Sequence, residues 1–206
     1  MSNPEDAVNA DAPKREYLDA TRRRQSLLDA AVDVMLDDGV EALSLRSVAQ
    51  RAGVAHRLVS YAFGSKGALV SALLERESER TIARVWSSPM IAASLPDALR
   101  TALQAFLDEV RADPRRFECM AALTATARLS PELADAARAE AEADRQEIAD
   151  RVARWRERGG VLEADAGDVV AGIQAAANGL AAWWLASRDD ERAPRVVAML
   201  AAGIAS

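Results

Sequence analysis

The chain has 206 residues, half of them apolar, and carries 26 Lys and Arg against 32 Asp and Glu for a net charge of -6. That length can bury a substantial core in one or two domains, and the apolar share excludes disorder throughout. The negative balance excludes a generic nucleic-acid coat, so any contact with a polyanion has to be confined to a patch. A single cysteine, Cys119, rules out an intramolecular disulfide. It stands between Glu118 and Met120 with no basic sequence neighbour to favour the thiolate, so no redox role is expected. Ala, Leu, Arg, Glu and Asp dominate and no alternating pattern appears, so the predicted class is all-α with about nine helices and no strand.

Residues 1–16 mix Asn, Asp, Glu, Ala and Pro without a periodic apolar face and read as a flexible tail. From Tyr17 the pattern turns helical, with Leu27, Leu28, Ala31, Val34 and Met35 at helical spacing before Gly39 stops the helix. The run Arg22-Arg23-Arg24 lies at its start, as a solvated helix surface would.

From Ala42 to Leu74 there is no Asp or Glu, although acids make up about one residue in six of the chain. Within this electropositive window Ser44 can cap a short helix whose apolar face is Val48, Ala49 and Ala52, and Gly53 can end it. A second helix from about Ala55 to Ala62 sets Ala55, Val59 and Ala62 on one side and His56, Arg57, Ser60 and Tyr61 on the other. Two helices joined through a glycine turn form a helix-turn-helix, here about residues 43–62, whose second member fits the DNA major groove. Arg57 can bond guanine edges bidentately, His56 can meet base or phosphate, and Ser60 and Tyr61 carry hydroxyls that reach phosphates. Arg46 and Lys66 add backbone contacts, and Ser44 and Ala55, at the two helix starts, complete the candidate DNA-facing set. On pattern alone a DNA-reading face and an ordinary solvated helix surface fit equally well.

The order of residues also resembles the tetracycline-repressor (TetR) family of bacterial transcriptional regulators. Leu43, Ser44, Val48, Ala49, Ala52, Gly53 and Val54, then Val59, Phe63, Ser65, Lys66 and Leu69, fall on that family's head motif without a gap. The resemblance spans roughly Thr21 to Leu74. It implies a DNA-binding head over residues 17–80, a helical effector-binding and dimerisation domain over 81–206, and Arg22 to Arg24 beside the DNA backbone. This chain departs from the pattern on the second helix. Ala55 replaces a Ser or Thr cap, a loss of about 1 kcal/mol. Ser60 replaces Tyr, Ala62 replaces His or Tyr, and Gly67 stands where Glu is common; Tyr61, one place along, can take over a phosphate contact.

Ser65 can cap a fourth helix through Leu69, Leu73, Arg76, Arg80 and Val85, broken at Ser87-Ser88-Pro89, with SSPMIAASLP as a connection. Further helices are predicted from Pro96 to Val110, Pro114 to Leu129 and Pro131 to Arg158, the prolines suiting first turns. The last two run from about Ala164 to Ser187 and Ala193 to Ile204, with apolar stripes dense in small residues. The resemblance assigns these two, about residues 164–204, to a homodimer interface; packing within one chain is the other use of such stripes. It also implies a small-molecule effector. Phe106, Phe117, Met120 and Trp155, with the polar Thr124, Gln174 and Asn178, suit a mainly apolar one.

The lone histidine lies in the basic window, and no P-loop, Gly-x-Ser-x-Gly or His/Cys metal pattern appears. The expectation is therefore no catalysis, no cofactor and no metal. With no signal peptide and no apolar run of spanning length in the sequence, cytoplasmic localisation without membrane contact is expected. The rival to a DNA-binding regulator of double-stranded operators is a helical protein-interaction module with a degenerate head.

Overall fold

The computed structural model describes residues 12–85 and 94–206. Residues 1–11 of the expected tail, and the greater part of the expected SSPMIAASLP connection with its Ser-Ser-Pro break, lie outside the described residues. Among the described residues there are nine α-helices, one 3-10 turn and no strand. The helices are α1 (Ala12–Asp38), α2 (Leu45–Arg51), α3 (His56–Phe63), α4 (Lys66–Val85), α5 (Leu95–Ala112), α6 (Pro114–Leu129), α7 (Ala134–Glu157), α8 (Ala166–Ser187) and α9 (Ala193–Ile204). α1 begins five residues before the expected Tyr17, so residues 12–16 are helix and not tail. Pro13 suits a first turn, and Lys14, Arg15 and Glu16 are good helix formers.

The chain forms two compact units, Met1–Leu73 and Leu74–Ser206, and the division falls within α4. In the first unit α1 packs on the 3-10 turn Val40–Ala42 and on α2, and α2 packs on α3. Leu27, Leu28, Ala31, Val34 and Met35 of α1 are buried as their spacing requires, together with Leu43, Val48, Val59, Phe63 and Leu69.

In the second unit α5 packs on α8 and α9, α7 on α6 and α8, and α8 on α9. Leu99, Leu103, Leu107, Val152, Trp155, Val170, Ile173, Leu180, Trp184 and Val197 make the core. α7 starts at Ala134, so Pro131 stands in a preceding turn and not in a helical first turn; Leu133 occupies the cap position without a side-chain cap. α8 starts at Ala166, where the Asp165 carboxylate accepts from the amides of Gly167 and Asp168. The expectation of no spanning run needs correcting for α8: it is the one described helix long and apolar enough to cross a membrane by length and composition. Val169, Val170, Ile173, Leu180 and Trp184 bury one side of it within the unit.

Candidate nucleic-acid interface

The first short helix of the head is fixed at both ends. The Ser44 hydroxyl accepts from the Ser47 amide at 3.0 Å while the Ser47 hydroxyl accepts from the Ser44 amide at 2.9 Å, a reciprocal capping box. At the other end Gly53 takes φ 66, the left-handed conformation that costs a side-chain-bearing residue energy and glycine little. Its amide donates to the Gln50 carbonyl and the next amide, of Val54, to that of Ala49, which turns the chain into α3.

α3 has a buried side and an exposed side. Val59 and Phe63 are buried, His56 and Arg57 are exposed, and Tyr61 is 95% exposed, an unusual state for a large aromatic on a folded surface. Ser60 is half-buried, with its hydroxyl 3.5 Å from His56 Nδ1. Ala55, expected on the packed side, is exposed instead. It is the cap residue just outside the helix, and no side chain bonds the first-turn amides.

Arg46 and Lys66 are exposed at the starts of α2 and α4, while Ser44 is half-buried with its hydroxyl engaged in the cap. The Ser65 hydroxyl caps α4 by accepting from the Ala68 amide at 3.1 Å. The acid-free window of the sequence is not wholly acid-free in space. Arg51 forms ion pairs with Asp37 at 2.6 Å and Asp38 at 3.1 Å, which anchors the end of α2 to the end of α1 and neutralises one cation of the window. Arg24 is likewise turned onto α3, where it meets the Ala62 carbonyl and the Phe63 ring. Sequence reading missed both contacts, because the partners lie 13 to 39 residues apart.

The effector candidates fall into several environments of the second unit. Phe117, Met120 and Thr124 share one face of α6 and are half-buried, and Phe106 of α5 meets Phe117 edge-on at 6.0 Å between ring centroids. Trp155 is core: a Cβ on Gly160 would fall 2.3 Å from its indole ring, so the glycine lets the chain close over the ring. The Gln174 side-chain amide donates to the Ala141 carbonyl of α7 at 2.9 Å, an interhelical bond. Asn178 is exposed, not lining the interior.

The same region holds carboxylates turned toward neighbouring helices. Glu140 accepts from the Thr124 hydroxyl at 3.2 Å, and Asp144 accepts from the Ser78 hydroxyl of α4. Burial raises both carboxyl pKa values above their ordinary range, and for Glu140 the neighbouring Asp144 adds to the rise. Glu77 is buried between Arg76 at 2.9 Å, Arg80 at 3.6 Å and the Arg116 Nε of α6 at 2.6 Å. Burial pushes the Cys119 thiol up, against the thiolate, although Arg115 one turn earlier pulls the other way. Among the described residues no group of three or more His, Cys, Asp or Glu could hold a metal ion.

A short helix backed by apolar residues, following a glycine turn and presenting His56, Arg57 and Tyr61 outward, defines the helix-turn-helix class of DNA-binding heads. Residues 27–73 match the model of the family described as bacterial regulatory proteins, tetR family. Over those residues the chain is similar to that family of helix-turn-helix transcription regulators.

It is 32% identical over 95 residues to the HTH-type transcriptional activator FasR of Mycolicibacterium smegmatis; the match spans 46% of this chain and 43% of FasR. Among solved structures, the fold is similar to that of a putative TetR-family transcriptional regulator from a Rhodococcus species, with TM-score 0.74 and 22% identity over 90% of this chain and all of that one. It is also similar to the multidrug-binding protein EbrR complexed with imidazole, with TM-score 0.64 and 26% identity over 87% of this chain and 89% of that one.

Proposed function

We propose that the chain is a homodimeric, sequence-specific regulator that represses by occupying double-stranded operator DNA and is released by a small, mainly apolar effector. The observation that carries the reading is the outward face of α3, with His56, Arg57 and Tyr61 exposed over a buried Val59 and Phe63, inside the segment that matches the family. In this reading Arg57 reads a guanine edge, His56 meets base or phosphate, and Arg46, Ser60, Tyr61 and Lys66 contact the sugar-phosphate backbone. Ala55 and Ser44 bring their helix starts against the backbone, where main-chain amides face phosphate.

One short helix reads few base pairs, so a second head is required for a specific site. α8 and α9 supply the surface for a second copy. Ala171, Ala175, Gly179 and Ala182 lie exposed along one stripe of α8, Met199 of α9 is 74% exposed, and a Cβ on Gly179 or Gly203 would meet nothing within 4 Å. Small residues of this kind let two copies approach closely, and the area hidden would be apolar.

The effector reading rests on the half-buried Phe106, Phe117 and Met120 with Thr124 as a hydrogen-bonding group. EbrR, whose structure holds imidazole, is a precedent for a small ligand in a similar fold. Release follows if the effector binds better to a conformation whose heads do not fit the operator. The protein then acts in the cytoplasm, on chromosomal DNA, by binding and not by catalysis.

Footprinting on DNA upstream of the chain's own gene tests the reading: sequence-specific, salt-sensitive protection over two half-sites is expected. Absence of protection across genomic fragments would leave the interaction module in its place. A second reading, activation from the bound operator, is favoured by the description of FasR as an activator. A reporter behind the protected site separates the two by the sign of its response.

A further inference from the structure

α3 is eight residues long and buries only Val59 and Phe63, so tertiary contacts must hold its direction; a helix this short does not stand by itself. Its last carbonyls need donors from outside the helix. The Gly64 amide donates to Ser60 and the Ser65 amide to Phe63. The Ala62 carbonyl receives its bond from another helix altogether: Arg24 of α1, 38 residues earlier, donates from a terminal guanidinium nitrogen at 2.7 Å. The same guanidinium lies 4.6 Å from the centroid of the Phe63 ring, within cation-π range. Its charge also sits at the negative end of the helix dipole, where a cation is favoured. Nothing comparable serves the other end, since Ala55 offers no side-chain cap.

We propose that Arg24 is a positioning residue of the DNA reader: by holding the C-terminal end of α3 to α1 it sets the angle at which His56 and Arg57 meet the bases. The inference rests on the operator-binding reading and assigns Arg24 a different part from a phosphate contact of the basic run Arg22 to Arg24. A reading side chain must be held to within roughly half an ångström to discriminate base edges. Val59 and Phe63 fix the depth of α3 but leave rotation about that apolar seam to be stopped by something else. Arg24 is that stop, and its position on α1 makes the tilt of α3 follow the helix that supplies Leu27, Leu28, Ala31, Val34 and Met35 to the head's core.

The test uses the full-length protein with Arg24→Met, which keeps an unbranched apolar stem against Phe63, beside wild type and Arg57→Ala. Operator binding is measured by fluorescence anisotropy at several salt concentrations, with a non-specific duplex as control. Arg24→Met is expected to weaken operator binding by about tenfold, a part of one base contact's worth, while the slope of log affinity against log salt and the non-specific affinity stay at wild-type values. Loss of a phosphate contact would instead flatten the slope by about 0.9 and weaken both duplexes alike, and that result, or unchanged operator affinity, overturns the proposal. Hydrogen exchange on the free protein supplies an arm that needs no DNA. Amides of the last turn of α3 are expected to exchange faster in Arg24→Met with those of α2 unchanged; identical exchange in α3 overturns the proposal. Failure of wild type to bind any operator would sink the functional reading and leave the exchange arm to decide the restraint.

Discussion

The two compact units use their charged residues in opposite ways. The head directs Arg46, His56, Arg57 and Lys66 into solvent and ties two further arginines, Arg24 and Arg51, to its own framework. The body turns part of its charge inward. There Glu77 sits buried among Arg76, Arg80 and Arg116, and Glu140 and Asp144 face the hydroxyls of Thr124 and Ser78. An exposed charge is cheap to hold and easy to offer to a polyanion, whereas a buried one is stable only with partners and so ties helices into a single arrangement. The head is therefore suited to reading a surface. The body is suited to holding α4 in register with α6 and α7 through polar bridges.

The contrast can be broken most forcefully at Glu77. Glu77→Ala leaves buried guanidinium charge without its carboxylate and should destabilise the body by about 3 to 5 kcal/mol, read as a shift of the urea midpoint; a loss below about 1 kcal/mol would mean that the node behaves like a surface pair. Next is Arg57→Ala, which should weaken specific operator binding by about 1 to 3 kcal/mol with helical circular dichroism unchanged. Unchanged affinity would remove Arg57 from the reading face. Ala55→Ser restores an oxygen to the vacant cap of α3 and should stabilise the head by about 1 kcal/mol, measured as protection of the α3 amides.

The smallest expected effect concerns pH. Below the ordinary carboxylate range Glu140 and Asp144 are protonated in both the folded and the unfolded chain and make no pH-dependent difference. As pH rises through that range and on to the raised folded values, the unfolded chain ionises first and stability falls. Asp144→Asn keeps an acceptor for Ser78, removes the like charge beside Glu140 and should raise Tm at pH 7 while flattening the Tm profile above about pH 4. A variant that loses stability at pH 7 would show that the charge itself is needed.

What could be read from the sequence divides along the same line. The helix-turn-helix was legible because its signals are local: the Ser44 cap, the Gly53 turn and the 3.6-residue spacing that buries Val59 all act within one or two turns. The same locality misled at Ala55, where helical spacing was carried one residue too far, and at Pro131, where a good first-turn residue was used in a turn instead. The effector candidates show the limit most sharply. Trp155, Gln174 and Asn178 all qualify from sequence as effector-pocket candidates, yet one is core, one bonds α7 and one is exposed.

By itself, then, the order of residues determined the all-helical class, the stops and starts of most helices and the basic window, because capping, turn geometry and periodicity are settled by near neighbours. Only the tertiary structure decided which charges remain available. Arg24 found Ala62, Arg51 found Asp37 and Asp38, Glu77 found Arg116 and Asp144 found Ser78. The physical reason is that a charge is satisfied by whatever stands within a few ångströms of it, and helices distant in the chain supply those partners only once the core has brought them together.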